Sequence, residues 1–259
     1  MRSSPFAAID ARAAPAPDAA AAAFLSAQPF AHRGLHGPHA AENGMRAFAA
    51  AMTRGHGIEC DVRLARDGTA MVFHDDALER MTGAEGRIAT RSAGTLADLR
   101  LPDGGAIPTL EALLATVSGA VPLLIELKTG GGDGPALCAA VRRALAGYRG
   151  PVGIMSFDPA VGHWFARHAP RLLRGLVVSE AGRHGLRARL GRHRALWRSR
   201  AQFLAYDVRD LPSRFAADQA ARGLPLIGWT VRDDATLAAI RALGGQPTYE
   251  ETGTWTLPA

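Results

Sequence analysis

Charged residues of complementary type stand where short apolar runs end. His32-Arg33-Gly34 follows Phe30-Ala31, Glu59-Cys60-Asp61 lies within an apolar stretch, His74-Asp75 follows Val72-Phe73, and Glu126-Leu127-Lys128 closes Leu123-Leu124-Ile125. In an extended strand, residues two apart point to the same side, so Glu59 and Asp61 face one way and Cys60 the other. Carboxylates gathered in a packed interior repel one another and lose hydration, so they require a positive partner. With Glu126 as a third oxygen donor the set suits one hard divalent cation, Mg²⁺ or Ca²⁺, better than a histidine-ligated zinc. His32 and His74 titrate near neutrality, so one can remove a proton while the other supplies one to a leaving oxygen. Arg33 and Lys128 would lower the barrier for a phosphodiester by meeting charge on its non-bridging oxygens.

Each of these residues also has a plainer reading. Glu59 and Asp61, taken as an isolated pair, would also serve as structural ion pairs with Arg33, Arg63 or Lys128, and Arg33 as a salt bridge at a strand end. Glu42-Asn43 reads either as the start of a helix or as a pair orienting Arg33 or a metal-bound water. Trp229 reads as a wall of the substrate pocket or as core. His36, His39, His56, His163, His168, His184 and His193 are assigned to the surface.

Positioning these side chains is a task for the alternation of elements along the chain. Candidate strands at Phe30 to Arg33, Ile58 to Arg63, Leu123 to Lys128, Gly153 to Phe157, Gly175 to Val178, Phe203 to Val208, Leu226 to Val231 and Thr248 to Glu250 alternate with amphipathic segments rich in Ala, Leu and Arg. That order predicts parallel strands with crossover helices, and hence a single α/β domain of the (β/α)8 TIM-barrel class, with active residues at the C-terminal ends of the strands. Ala70 to His74, after Asp67-Gly68, reads as a hairpin excursion with a two-residue turn, followed by a polar insertion over residues 75–107. Thr109 starts a helix running to about Val117. Residues 1–28 form an Ala/Pro-rich leader, loose up to about residue 17, with Asp18 capping a short helix before Pro29. The barrel domain is expected over 29–259.

The 259 residues are 47% hydrophobic and 21% charged, which allows a large core and argues against wholesale disorder. The net charge of +6 comes almost wholly from arginine, and Lys128 is the sole lysine. The Arg-rich run from Arg183 to Arg200 has Leu186, Leu190, Leu196 and Trp197 at near-helical spacing, predicting an amphipathic helix with a solvated basic face rather than a specific nucleic-acid site. The Gly-rich stretch after Lys128 lacks a dinucleotide or Walker pattern and reads as a turn. Two cysteines exclude a disulfide framework, and no run is long and apolar enough for a membrane span, so a cytoplasmic location is expected.

Taken in order, Ala31-His32-Arg33-Gly34, Glu42-Asn43, Glu59-Cys60-Asp61-Val62, Asp67-Gly68, Phe73-His74-Asp75, Leu78 with Arg80 and Thr82, Ile107-Pro108-Thr109-Leu110-Glu111, Ile125-Glu126-Leu127-Lys128 and Trp229-Thr230-Val231 resemble the glycerophosphodiester phosphodiesterase family. The resemblance is dense from about residue 30 to 130 and thin beyond, where Ser156-Phe157 and the Trp229 segment stand out. It implies one divalent ion on Glu59, Asp61 and Glu126, with His32 and His74 as the acid/base pair. Residues 75–107 would then be the insertion separating the family from phosphatidylinositol-specific phospholipases C of the same fold. The implied reaction converts a small glycerophosphodiester to a glycerol phosphate and an alcohol, in glycerophospholipid catabolism. A lysophospholipase-D-like activity and a non-catalytic barrel that binds glycerol phosphates are the alternatives. Three positions depart from the family pattern: Gly44 replaces the usual Thr, Arg232 follows Trp-Thr-Val where Asn is common, and Pro247-Thr248-Tyr249-Glu250 replaces the usual Thr-Asp-x-Pro. They bear on the alcohol group more than on the metal.

Overall fold

The computed structural model describes residues 5–258. They group into two compact units, Phe30–Val152 on one hand and the chain up to Pro29 with Gly153 onward on the other. In the first unit, strand β1 (Phe30–Ala31) runs parallel to β2 (Gly57–Leu64), β2 pairs antiparallel with β3 (Ala70–Val72), and on its other side β2 runs parallel to β4 (Leu123–Leu127). The crossover after β1 is the helix Met45–Thr53, which buries Ala47, Phe48 and Ala51. Gly57 is required where β1 meets β2, because a β-carbon there would lie 2.5 Å from the Phe30 ring.

The β2–β3 hairpin closes through Arg66-Asp67-Gly68 rather than through a two-residue turn. The Ala65 amide donates to Thr69 O at 2.9 Å, and Gly68, with φ at +81°, takes the left-handed position that a three-residue loop of this kind needs. The following segment departs from the polar description. Leu78, Met81, Ile88, Leu96, Leu101 and Ile107 are all buried, and they pack with Met71 and Phe73 into a cluster of their own. That cluster anchors a segment whose helices, Glu79–Thr82 and Ala93–Ala97, are too short to hold themselves. Thr109 then caps Leu110–Val117 through the Ala112 amide at 3.1 Å.

In the second unit, β5 (Val152–Ser156, from Gly153 on), β6 (Leu173–Val178), β7 (Phe203–Asp207), β8 (Leu226–Val231) and β9 (Gln246–Tyr249) pair in chain order, each parallel to the next. Helices Pro159–His168, Gly185–Ser199, Arg214–Ala221 and Asp234–Arg241 make the crossovers. Each expected strand is present, with ends shifted by no more than about two residues, within the ordinary uncertainty of strand boundaries.

The N-terminal segment is not the loose leader its composition suggests. Ala7–Ala13 is helical and packs on Gly185–Ser199. The tie is Asp10, 1% exposed, whose carboxylate accepts from Trp197 Nε1 (2.7 Å) and Gln219 Nε2 (2.9 Å) and lies 2.9 Å from His193 Nδ1. His193, expected on the surface, is therefore buried, because it helps satisfy a carboxylate that sequence proximity does not reveal. Asp18 caps Ala19–Ala22 as expected. Residues 1–4 and 259, within the expected leader and barrel domain, lie outside the described residues.

Candidate active site

Five of the expected site residues, together with Arg33, Glu42 and Lys128, lie in the first unit. Strand β2 turns Glu59 (1% exposed) and Asp61 (0%) to one side, and the β2–β4 register sets Glu126 beside Asp61. One carboxylate oxygen from each of the three lies within 4.8 Å of the others. They converge instead of pointing apart, because neighbouring parallel strands in register carry all three.

Two cations meet them. Lys128 Nζ is 2.6 Å from Glu126 Oε1 and 3.1 Å from Asp61 Oδ1, and Arg33 Nε is 3.2 Å from Asp61 Oδ2. The ion-pair reading is thus correct for these contacts, but it leaves three carboxylates facing two cations. Arg63 contributes nothing to that balance, since its guanidinium donates to backbone carbonyls, His74 O at 2.7 Å and Lys128 O at 3.5 Å. Glu59 Oε1 is buried without a hydrogen-bond partner among the described residues. Burial, reinforced by Asp61 and Glu126, pushes the Glu59 carboxyl well above its usual range. Burial also raises Glu126, to about 7, Lys128 opposing and Asp61 adding. Asp61 is held low in spite of burial, because Lys128 and Arg33 outweigh it. Three carboxylates of this hardness, with Glu59 Oε1 unsatisfied among the described residues, fit a divalent cation.

The turn after β1 supplies the next contacts. Arg33 sits at φ +56°, and this left-handed residue lets its own amide donate to Glu59 Oε2 at 3.1 Å. His32 Nε2 is 3.9 Å from the same oxygen. Asn43, also at φ +56° and 2% exposed, makes a reciprocal pair with Asp61: its Nδ2 donates to Asp61 Oδ2 at 2.9 Å, and the Asp61 amide donates to Asn43 Oδ1 at 3.2 Å. Glu42 and Asn43 do not begin a helix, which starts at Met45. Gly44 precedes it, and a β-carbon there would sit 2.9 Å from Ala41 O, so this backbone has no room for the larger residue usual at that position.

A second chain of contacts leads to His74. Its Nδ1 lies 2.6 Å from Asp75 Oδ1, Asp75 Oδ2 accepts from Arg80 Nε at 2.5 Å, and Arg80 donates to both oxygens of Glu42 at 2.7 and 2.9 Å. Glu42 Oε1 in turn accepts from Arg33 Nη1 at 2.8 Å. His74 is thereby linked to Asp61 through Asp75, Arg80, Glu42 and Arg33. Asp75 and Arg80 belong to the quoted pattern, yet nothing in their spacing assigns them this task. Burial draws the His74 imidazole below its ordinary range, Asp61 opposing.

The same contacts depress both acids of the relay. Burial alone would raise Glu42 and Asp75, but Arg80, with Arg33 at the first and His74 at the second, holds both below the ordinary carboxylate range. A carboxyl depressed in the folded state contributes stability that is complete above its unfolded value near pH ~4 and is lost as pH falls through the folded value. Urea midpoints measured stepwise are expected to fall below about pH 4, and to fall less steeply in Glu42→Gln, which starts from a lower value at neutrality.

Trp229 lies in the second unit, half-buried, its ring edge-on to Phe157 at 5.6 Å. It is neither full core nor free surface, and its Nε1 has no hydrogen-bond partner among the described residues. The other two departures pair with each other: the Arg232 guanidinium meets Glu250 Oε2 at 2.7 to 2.8 Å.

The family profile described as "Glycerophosphoryl diester phosphodiesterase family" matches residues 32–247. The chain belongs to this family. Membership places it among the phosphoric diester hydrolases, and its fold class is the family's α/β barrel, with β3 as an extra strand. A probable glycerophosphodiester phosphodiesterase 2 of Mycobacterium tuberculosis is 32% identical over 76% of this chain and 70% of that one. A putative glycerophosphodiester phosphodiesterase of Bacillus subtilis, YhdW, is 38% identical, but that match spans only 38% of this chain and 43% of the relative. Among solved structures, a phosphodiesterase of Oleispira antarctica in complex with the product sn-glycerol-3-phosphate superposes with a TM-score of 0.76 at 26% identity, covering 89% of this chain and 94% of that one.

Proposed function

We propose that this glycerophosphoryl diester phosphodiesterase family member hydrolyses small glycerophosphodiesters to a glycerol phosphate and an alcohol, with one divalent ion, Mg²⁺ or Ca²⁺, held by Glu59, Asp61 and Glu126. The observation that carries the reading is the convergence of three buried carboxylates, more than their two cations balance, beside His32 and His74, which follow the two strands, β1 and β3, paired along the edge of β2 opposite β4. The relative bound to sn-glycerol-3-phosphate supports the choice of substrate. When bound, the ion supplies Lewis-acid polarisation of the phosphoryl oxygens.

His74, oriented by Asp75, and His32, beside Glu59, divide the proton transfers: one receives the proton of the attacking hydroxyl, the other protonates the departing alkoxide. The same pair serves attack by water and attack by a neighbouring substrate hydroxyl followed by opening of a cyclic phosphate. Arg33 and Lys128 add positive charge for the non-bridging oxygens, and Glu42 holds the Arg33 guanidinium. The phosphodiesterase domain extends over 29–259, with 75–107 as its insertion, and the location is cytoplasmic. Among the described residues no helix is long and apolar enough to cross a membrane.

Phe157, 49% exposed, favours a second reading, in which lysophospholipids are hydrolysed. Turnover of glycerophosphocholine, glycerophosphoethanolamine and lysophosphatidylcholine, measured side by side with and without added metal, separates the two. Metal-dependent turnover of the first two with little of the third is expected; preference for the lysolipid would replace the first reading, and binding without turnover would leave a glycerol-phosphate-binding barrel.

A further inference from the structure

The arginines of the helix Gly185–Ser199 are unused by the site just described. No Asp or Glu occurs between Glu180 and Asp207. At 3.6 residues per turn, Arg187, Arg194 and Arg198, seven and four residues apart, fall on one stripe, and all three are exposed. None makes an ion pair or hydrogen bond among the described residues. The opposite face carries the buried His193, Leu196 and Ser199. At the start of the same helix stands Leu186, 74% exposed.

The helix Ala7–Ala13, packed alongside, extends this surface. Its one acid, Asp10, is buried and occupied by His193, Trp197 and Gln219, so its outer side offers Ala8, Ala11, Arg12 and Ile9, the last 50% exposed. Exposed large aliphatic side chains next to arginines without acidic counterparts match the boundary between anionic headgroups and acyl chains. A nucleic-acid phosphate backbone would answer the arginines but offer Leu186 and Ile9 nothing. We propose that this paired-helix face docks on an anionic lipid bilayer, lying on the membrane without crossing it.

Flotation of the full chain with vesicles of phosphatidylcholine, or of phosphatidylcholine mixed with phosphatidylglycerol, tests this. Binding is expected only to the mixed vesicles and only at low salt. The variant R187A/R194A/R198A should partition on the order of a hundredfold more weakly, given that each arginine near such a surface adds about a fivefold factor. Ile9→Ser with Leu186→Ser should weaken binding without altering charge, and both variants should melt at the wild-type temperature. Failure to bind the mixed vesicles, unchanged binding by either variant, or capture of duplex DNA in preference to vesicles would overturn the proposal.

Discussion

Chelation is expected to abolish glycerophosphodiester hydrolysis completely, and added Mg²⁺ or Ca²⁺ to restore it. The physical basis is charge balance at the β2–β4 pair. Asp61 is shared between Arg33 and Lys128, Glu126 takes the other side of Lys128, and Glu59 Oε1 has no hydrogen-bond donor among the described residues. Bound only by the folded protein, the ion should raise the melting temperature as its concentration rises. Glu59→Gln sharpens the test. Removing one carboxylate from a cluster with too few cations relieves repulsion, so the metal-free variant should be no less stable than the metal-free parent, while losing activity and the metal-induced rise in melting temperature. Undiminished turnover in excess chelator would falsify the metal assignment, and a Glu59→Gln protein that still melts higher with added metal would remove Glu59 from the ligand set.

His74→Ala and His32→Ala are each expected to lower kcat by at least about a hundredfold, the scale of a lost general acid or base. Little change in KM should accompany the loss, because the phosphate is held by other groups. Asp75→Asn separates orientation from proton transfer. It keeps a side chain beside His74 Nδ1 but removes the charge that fixes the ring, so a smaller loss, on the order of tenfold, is expected. Steady-state kinetics on glycerophosphocholine at saturating metal would check all three. Equal activity of His74→Ala and the parent would leave His74 as a structural residue of the Asp75–Arg80–Glu42 relay.

Local chemistry made the site legible in the chain. Glu59 and Asp61 face one side because a strand alternates, and Glu126 joins them because parallel neighbours bring equivalent levels together. His32 and His74 were identifiable by standing at the ends of apolar runs. Asn43 and Arg80 were harder to assign, because their contacts depend on the left-handed backbone at Arg33 and Asn43 and on a segment that reads as polar. The apolar residues of 75–107 have no regular period, since they bury themselves from short turns and loops, so their common cluster shows only in three dimensions.

The order of strands and helices, the fold class and the donor chemistry follow from the sequence alone, because period, residue type and spacing act over a few residues. Tertiary structure decided which cations meet which carboxylates, that one Glu59 oxygen is left over, and that Asp10 finds partners roughly two hundred residues away in the chain. Those outcomes depend on burial and on long-range packing, and no local pattern of amino acids carries either.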